Sequence, residues 1–95
     1  MEDEKIKKLL EEIKLEQHTS PFKEDKEIIG YIKDGEYDIN YHTGTKIDYD
    51  VDLQARSLLK NYVLYADYKQ LAEFKELYVG DYADLQAKYN SDSNI

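Results

Sequence analysis

Apolar and polar residues alternate along residues 28–51, and this alternation predicts a three-stranded antiparallel meander. Asp34-Gly35 is a two-residue hairpin signal, because a type I′ turn needs positive φ at both positions. Closing that turn places one apolar set on a single face of the sheet. The members of this set are Ile28, Ile32, Tyr37, Ile39 and Tyr41. The meander is thus predicted to have one apolar face and one polar face.

The second turn of the meander is predicted from the requirement that apolar residues of neighbouring strands lie on the same face of the sheet. A two-residue Thr43-Gly44 turn would mix the two faces. A three-residue loop over residues 42–44, with Gly44 in a left-handed bulge position, instead pairs Ile39 with Ile47. The longer loop is therefore predicted, because one register then satisfies both turns.

The opposite face of this sheet is predicted to be acidic. Its register sets Asp38 opposite Asp48 and Glu36 opposite Asp50, and like charges opposed across strands are unfavourable. The face is either a solvated surface or a surface for a cationic partner, on which alternate carboxylates about 6.6 Å apart imitate backbone phosphates. The candidate partner-binding residues are Tyr31, Glu36, Asp38, Asp48, Asp50 and Asp52.

The rest of the chain is predicted to be helical. Residues 3–17 carry apolar positions at helical spacing, and Ser20-Pro21 ends this helix. After the meander, Asp50 or Asp52 caps a second helix that contains Leu58 and Leu59. These elements give an α+β fold in which helices pack on the sheet, as a single domain over residues 1–95 with residues 3–89 ordered.

The end of the chain leaves two arrangements open. Asp67, followed by Gln70, resembles a capping box that starts a third helix, while one continuous helix over residues 52–78 is equally permissible. Residues 79–81 are predicted to stop that helix and cap a last one, which runs to about Tyr89. Residues 90–95 are predicted to be a frayed tail.

A heptad-like seam of tyrosines and leucines follows this helical half. We expect it to pack on the sheet, on the first helix, or on a second copy in a homodimer. Its residues are Leu64, Tyr68, Leu71, Tyr78, Tyr82, Leu85 and Tyr89.

Net charge, cysteine content and the absence of long apolar runs exclude several classes of function. The formal net charge of −8 argues against direct nucleic-acid binding, which needs a basic stripe. The sequence has no cysteine, so disulfides and thiolate metal sites are excluded. No apolar run has the length of a membrane span, and the acidic amino terminus is unlike a secretory signal. We therefore expect a cytoplasmic protein without membrane contact.

Catalytic signals are weak. His18 and His42 lie on different predicted elements, and no nucleophilic cysteine or serine elbow accompanies them. Residues 48–52 begin like a calcium loop, but Leu53 stands where that loop needs glycine. Two YxxL units, which begin at Tyr68 and Tyr82, follow from helical packing alone. We expect a protein that is not an enzyme and that holds no metal or cofactor.

The order of elements, over about residues 3–89 and with Asp34-Gly35 between strands, resembles some small acidic anti-CRISPR proteins encoded by phages. This resemblance implies an inhibitor that covers the basic nucleic-acid-binding groove of a partner such as a Cas nuclease. Antirestriction proteins that mimic DNA are compatible on composition. In the alternative hypothesis, the chain is a small accessory module that dimerises or binds a helix through the seam.

Overall fold

The computed structural model describes residues 1–17 and 24–90, and over these ranges its only regular secondary structure is helical. The five helices are α1 (Asp3–Glu16), α2 (Asp25–Thr43), α3 (Leu53–Asp67), α4 (Leu71–Leu77) and α5 (Val79–Asn90). The predicted α+β fold is therefore wrong, because the region assigned to strands contains a helix and a loop. No helix within the described ranges combines the length and apolarity that a membrane crossing requires.

The first two predicted strands are in fact one helix, α2. Its buried positions recur every three or four residues, which is the spacing of one helical face. These positions are Ile28, Ile32, Gly35, Ile39 and Thr43. The isoleucine spacings of four and seven residues place these side chains on one face of a helix. The same spacings also fitted one face of the predicted hairpin, in which the third isoleucine lay on the second strand. Tyr37 and Tyr41, predicted to share the isoleucine face, are instead 73% and 72% exposed.

Gly35 is needed for close packing of α2 on α3, and it forms no turn. A Cβ atom placed on Gly35 would lie 2.6 Å from Leu59 Cδ1 and 2.8 Å from Tyr62 Cδ1. Such distances are far below van der Waals contact, so only glycine lets the two helices approach this closely. The Asp34-Gly35 hairpin prediction is therefore wrong, and the glycine has a packing role instead.

Gly44 ends α2 in a left-handed conformation, with φ at 73°. Its amide donates a hydrogen bond to the carbonyl oxygen of Asn40 at 2.9 Å, as in a helix C-cap. The left-handed backbone expected at Gly44 is thus present, although it closes a helix and not a β-bulge.

The predicted third strand is a loop that is held against α2. Ile47 and Tyr49 are buried, and both donate to the side-chain oxygen of Asn40, at 3.3 Å from the Ile47 amide and 2.9 Å from the Tyr49 hydroxyl. The opposed pairs Asp38–Asp48 and Glu36–Asp50 therefore do not form. Alternating burial in this loop arises from two side chains that insert into the core, without a strand ladder.

Helix α3 begins after Asp52, one of the two caps that the sequence allowed. It ends at Asp67, so the predicted capping box at Asp67 is wrong. A break at Lys69, where φ is 58°, separates α3 from α4 and rules out one continuous helix. Gly80 lies inside α5 and does not terminate α4.

Helix α2 occupies the centre of the molecule, where a sheet was expected. It contacts α1, α3 and α5, while α4 packs on α3 and α5. The face of α1 predicted from helical spacing is buried in this core, at Ile6, Leu9, Leu10 and Ile13. His18, the predicted stop at Ser20-Pro21 and the tail beyond Asn90 lie outside the described residues.

Candidate interaction surfaces

The candidate partner-binding residues fall into separate places. Glu36, Asp48 and Asp50 line one cavity of about 270 Å³, between the start of α1, the middle of α2 and the loop after it. Asp38 and Asp52 lie elsewhere, in two different hydrogen-bond networks. Tyr31 is half-buried and packs against the core. The structure therefore brings together only part of the predicted surface.

We call the cavity lined by Glu2, Lys5, Glu36, Lys46, Asp48 and Asp50 the acidic cleft. Its carboxylates already have cationic partners. The amino group of Met1 lies 2.7 Å from Glu36 Oε2, and Lys5 Nζ lies 3.8 Å from Asp48 and 3.5 Å from Asp50. Asp48 and Asp50 in turn raise the pKa of Lys5. The cleft is thus a mixed-charge network with an excess of carboxylates.

Asp38 joins α2 to α4 and α5. Lys75 Nζ donates to its two carboxylate oxygens at 2.7 and 2.6 Å, and the Tyr82 hydroxyl donates to it as well. Burial, followed by the contact with Asp38, raises the pKa of Tyr82. His42 Nδ1 lies 3.5 Å from Asp38 Oδ1. The role of Asp38 in this structure is to hold helices together.

Asp52 connects the start of α3 to the end of α5. Its side chain is 4% exposed and accepts from the Ala55 amide at 3.0 Å, from Lys88 Nζ at 2.9 Å, and from the Tyr89 hydroxyl. Burial alone would raise the pKa of Asp52, but these hydrogen bonds outweigh it and lower that pKa. A carboxylate so enclosed is a structural cap and offers no surface to a partner.

The predicted tyrosine and leucine seam does not form one stripe, because breaks at Lys69 and Tyr78 reorient the helices. Tyr82 and Leu85 are buried, whereas Tyr68 is 62% exposed. Partial burial is shared by Leu64, Leu71, Tyr78 and Tyr89. Several rings surround the buried Phe74, with ring centroids 4.8 Å away at Tyr78 and 6.1 Å away at Tyr82. Much of the seam is therefore core.

An exposed aromatic pair lies on the outer side of α2. Tyr37 and Tyr41 stack with ring centroids 6.2 Å apart and an interplanar angle of 17°. They border an open groove of about 480 Å³ between α2 and the loop that follows it. We call this groove the tyrosine groove; its other lining residues are Lys33, Glu36, Asn40, Gly44, Thr45 and Lys46.

Sequence reasoning missed this groove, because it assigned Tyr37 and Tyr41 to an apolar sheet face. The signal that could have found the groove is their spacing of four residues, which makes neighbours on a helix. Lys33 lies four residues before Tyr37 and therefore belongs to the same helical stripe. The stripe becomes visible only once residues 25–43 are assigned to a helix.

Metal-binding and catalytic groupings are sparse. Within residues 1–17 and 24–90, no group of three or more metal-ligating side chains is placed to hold an ion. His42 Nδ1 lies 2.8 Å from the carbonyl oxygen of Asp38, and its ring contacts Tyr41 and Tyr82 edge-on. These contacts are those of a packed surface histidine.

Comparison of the chain with models of protein families, with curated proteins and with solved structures finds no significant match in any of the three. Function must therefore be inferred from the surfaces of the molecule.

Proposed function

We propose that the chain is a non-enzymatic protein-interaction module that contacts its partner through the tyrosine groove. The observation that carries this proposal is the stacked, largely exposed Tyr37–Tyr41 pair beside an open groove. Tyrosine supplies a large, rigid contact area at low cost in conformational entropy, and it is enriched in protein interfaces. This is a form of the accessory-module hypothesis, with the contact on α2 and not on the seam.

The placement of the carboxylates also favours this function. Asp38 and Asp52, two residues expected to meet a basic partner, are engaged by Lys75 and Lys88 within the molecule. Replacing those internal contacts with contacts to a partner would remove the ion pairs that join α2 and α3 to the carboxy-terminal helices. The two tyrosines, in contrast, have most of their ring surface open to contact.

A photo-crosslinking experiment tests the proposal. A benzophenone amino acid at position 41 of the full chain is expected to form a defined protein adduct in the native cells. A matched probe at position 68 replaces another exposed tyrosine that lies outside the groove. The adduct should be prevented by excess unlabelled wild-type chain and not by the Tyr37→Ser/Tyr41→Ser variant. Equal adducts at both positions, or none that the wild type competes away, would refute the proposal.

A second candidate function is supported by the convergence of Glu36, Asp48 and Asp50 at the acidic cleft. In this hypothesis, the chain inhibits a nucleic-acid-binding enzyme, such as a Cas nuclease, by placing the cleft on its basic groove. An arginine of the partner would have to compete with Lys5 for both aspartates, and with Arg56 for Asp50. Affinity for such a partner should fall steeply as salt rises.

The second candidate is tested with Asp48→Asn/Asp50→Asn, measured against the protein that the cross-link captures. Asp3→Asn/Asp84→Asn is the matched control, because it removes the same charge from exposed positions on α1 and α5. A basic partner should lose affinity with the first pair and much less with the control. Equal small losses in both variants would dismiss the acidic cleft as the contact.

A further inference from the structure

We propose that the tyrosine groove binds an acidic segment of a partner protein that carries an aromatic or large apolar side chain. This inference depends on the proposed function, since it identifies the chemistry of what the same groove contacts. It also reverses the charge expected of the partner, because the protein as a whole is acidic.

The two tyrosine rings favour an occupant with an apolar side chain. Tyr37 and Tyr41 are nearly parallel, so together they present one broad ridge and not two isolated side chains. The groove beside them, at about 480 Å³, lies within the roughly 300–1,000 Å³ of typical ligand pockets. An aromatic or branched apolar side chain would cover the ridge and fill this space.

Two lysines favour a negatively charged occupant. Lys33 and Lys46 line the groove, and neither forms an ion pair with any residue in the described ranges. Glu36, the carboxylate in the groove, is paired with the amino group of Met1 at 2.7 Å. The charge left unpaired at the groove is therefore positive.

The uncharged polar groups of the groove agree with an anionic occupant. Asn40 Oδ1 is already occupied, since it accepts from the Ile47 amide and the Tyr49 hydroxyl. What Asn40 can still offer is its Nδ2 donor group, and Thr45 adds a hydroxyl. Carboxylates accept hydrogen bonds from such donors and from lysine, so an acidic segment would find partners for its charged groups here.

Two other occupants fit less well. A nucleic acid is also anionic, but two lysines on a chain with formal charge −8 give little phosphate neutralisation. A second copy packed groove to groove across a two-fold axis would bring the same lysines toward each other, because such an interface uses one patch twice. An acidic protein segment avoids both difficulties.

Selection from a library of random short peptides tests the inference. The library is enriched on the full wild-type chain and depleted on the folded Tyr37→Ser/Tyr41→Ser variant. We expect the retained peptides to be rich in Asp and Glu around an aromatic or leucine residue. Basic or uncharged retained sequences would overturn the inference while leaving the interaction module standing. If the groove variant retained the same peptides and position 41 gave no competed cross-link, both would fail.

Affinity measurements on one selected peptide complete the test. Lys33→Gln and Lys46→Gln should each weaken binding about threefold, and the tyrosine double variant about tenfold or more. Lys7→Gln and Lys8→Gln are matched controls, since they remove exposed lysines on α1 that form no ion pair with another described residue. The inference is overturned if the control lysines matter equally. It is also overturned if a single-stranded oligonucleotide displaces the peptide, or if sedimentation shows a dimer that the tyrosine variant abolishes.

Discussion

Replacing Gly35 with alanine is the sharpest test of the helix crossing at the centre of this fold. The added methyl carbon would lie 2.6 Å from Leu59 Cδ1 and 2.8 Å from Tyr62 Cδ1, where ordinary contact begins about a full ångström farther out. Leu59 is completely buried, so it has little room to move away. Either the helices separate or the two side chains leave their preferred rotamers.

The magnitude follows from two opposing effects. Alanine favours a helix over glycine by about 1 kcal/mol, while overpacking a core costs about 1–3 kcal/mol and occasionally more. Because both contacts of the Gly35→Ala methyl group are severe, we expect overpacking to dominate. If overpacking costs about 2–3 kcal/mol, the upper part of that range, the free energy of unfolding should fall by about 1–2 kcal/mol after the helix preference is subtracted.

Gly30→Ala is the matched control, because Gly30 lies in the same helix and, apart from its chain neighbours and the backbone of its own helix, no atom of the described residues lies within 4 Å of the added methyl group. There the helix preference acts alone, and stability should rise by up to about 1 kcal/mol. Urea unfolding followed by circular dichroism measures both variants. If Gly35→Ala stabilises the protein as much as Gly30→Ala does, the close crossing of α2 on α3 is refuted.

Three further predictions concern the caps and the buried polar groups. Gly44→Ala should lower the free energy of unfolding by about 1 kcal/mol, seen as a melting temperature about 4–8 °C lower, because φ is 73° there. Asp52→Asn should cost about 1–3 kcal/mol near pH 7. Because the folded pKa of Asp52 is lowered, this stabilisation exists above its unfolded pKa and is lost as pH falls through the folded pKa, so urea unfolding should show the wild type and variant converging in acid. Burial and the Asp52 carboxylate raise the pKa of Tyr89 to about 12, so its stabilisation is present below pH 10 and lost as pH rises through about 12. Absorbance titration of tyrosinate should show that the group lost in Tyr89→Phe is one that ionises late, and loss of a group that ionises near pH 10 would contradict the contact with Asp52.

Helix α1 and the start of α3 were largely predictable. Ile6 and Ile13 in α1 follow a helical period that no strand parity imitates, so the sequence alone identifies their face. Asp52 was one of two aspartates predicted to cap the helix that follows, because either precedes an apolar helical run. The break at Lys69 was only one of two options, since nothing in its residue type demands a positive φ.

The centre of the chain was not predictable from local pattern. Ile28, Ile32 and Ile39 fit both a strand and a helix, and Asp34-Gly35 is a strong turn signal when considered alone. What decides in favour of the helix is distant in sequence: Leu59 and Tyr62 lie where a side chain at position 35 would be. Tertiary packing gives the glycine its role, and no period within residues 28–51 contains that information.

The grouping of some acidic residues follows from their closeness in the chain and not from the strand register that predicted it. Glu36, Asp48 and Asp50 do meet, but around a cleft between helices and a loop. Asp38 and Asp52 were assigned to the same surface by strand alternation, and without strands they separate into the networks with Lys75 and Lys88. Residue type alone could not reveal which carboxylates would form ion pairs within the molecule.

The electrostatics of the two candidate surfaces lead to opposite salt responses, which separate them. At the tyrosine groove, Lys33 and Lys46 attract an acidic segment at short range, while the formal charge of −8 repels it at long range. The Debye length is about 8 Å at physiological salt, so added salt weakens the long-range repulsion before it affects direct contacts. Association through the groove should therefore keep or gain rate as salt rises moderately, whereas a basic partner at the acidic cleft should associate more slowly. A steep loss of association rate for the captured partner would thus favour the acidic cleft over the tyrosine groove.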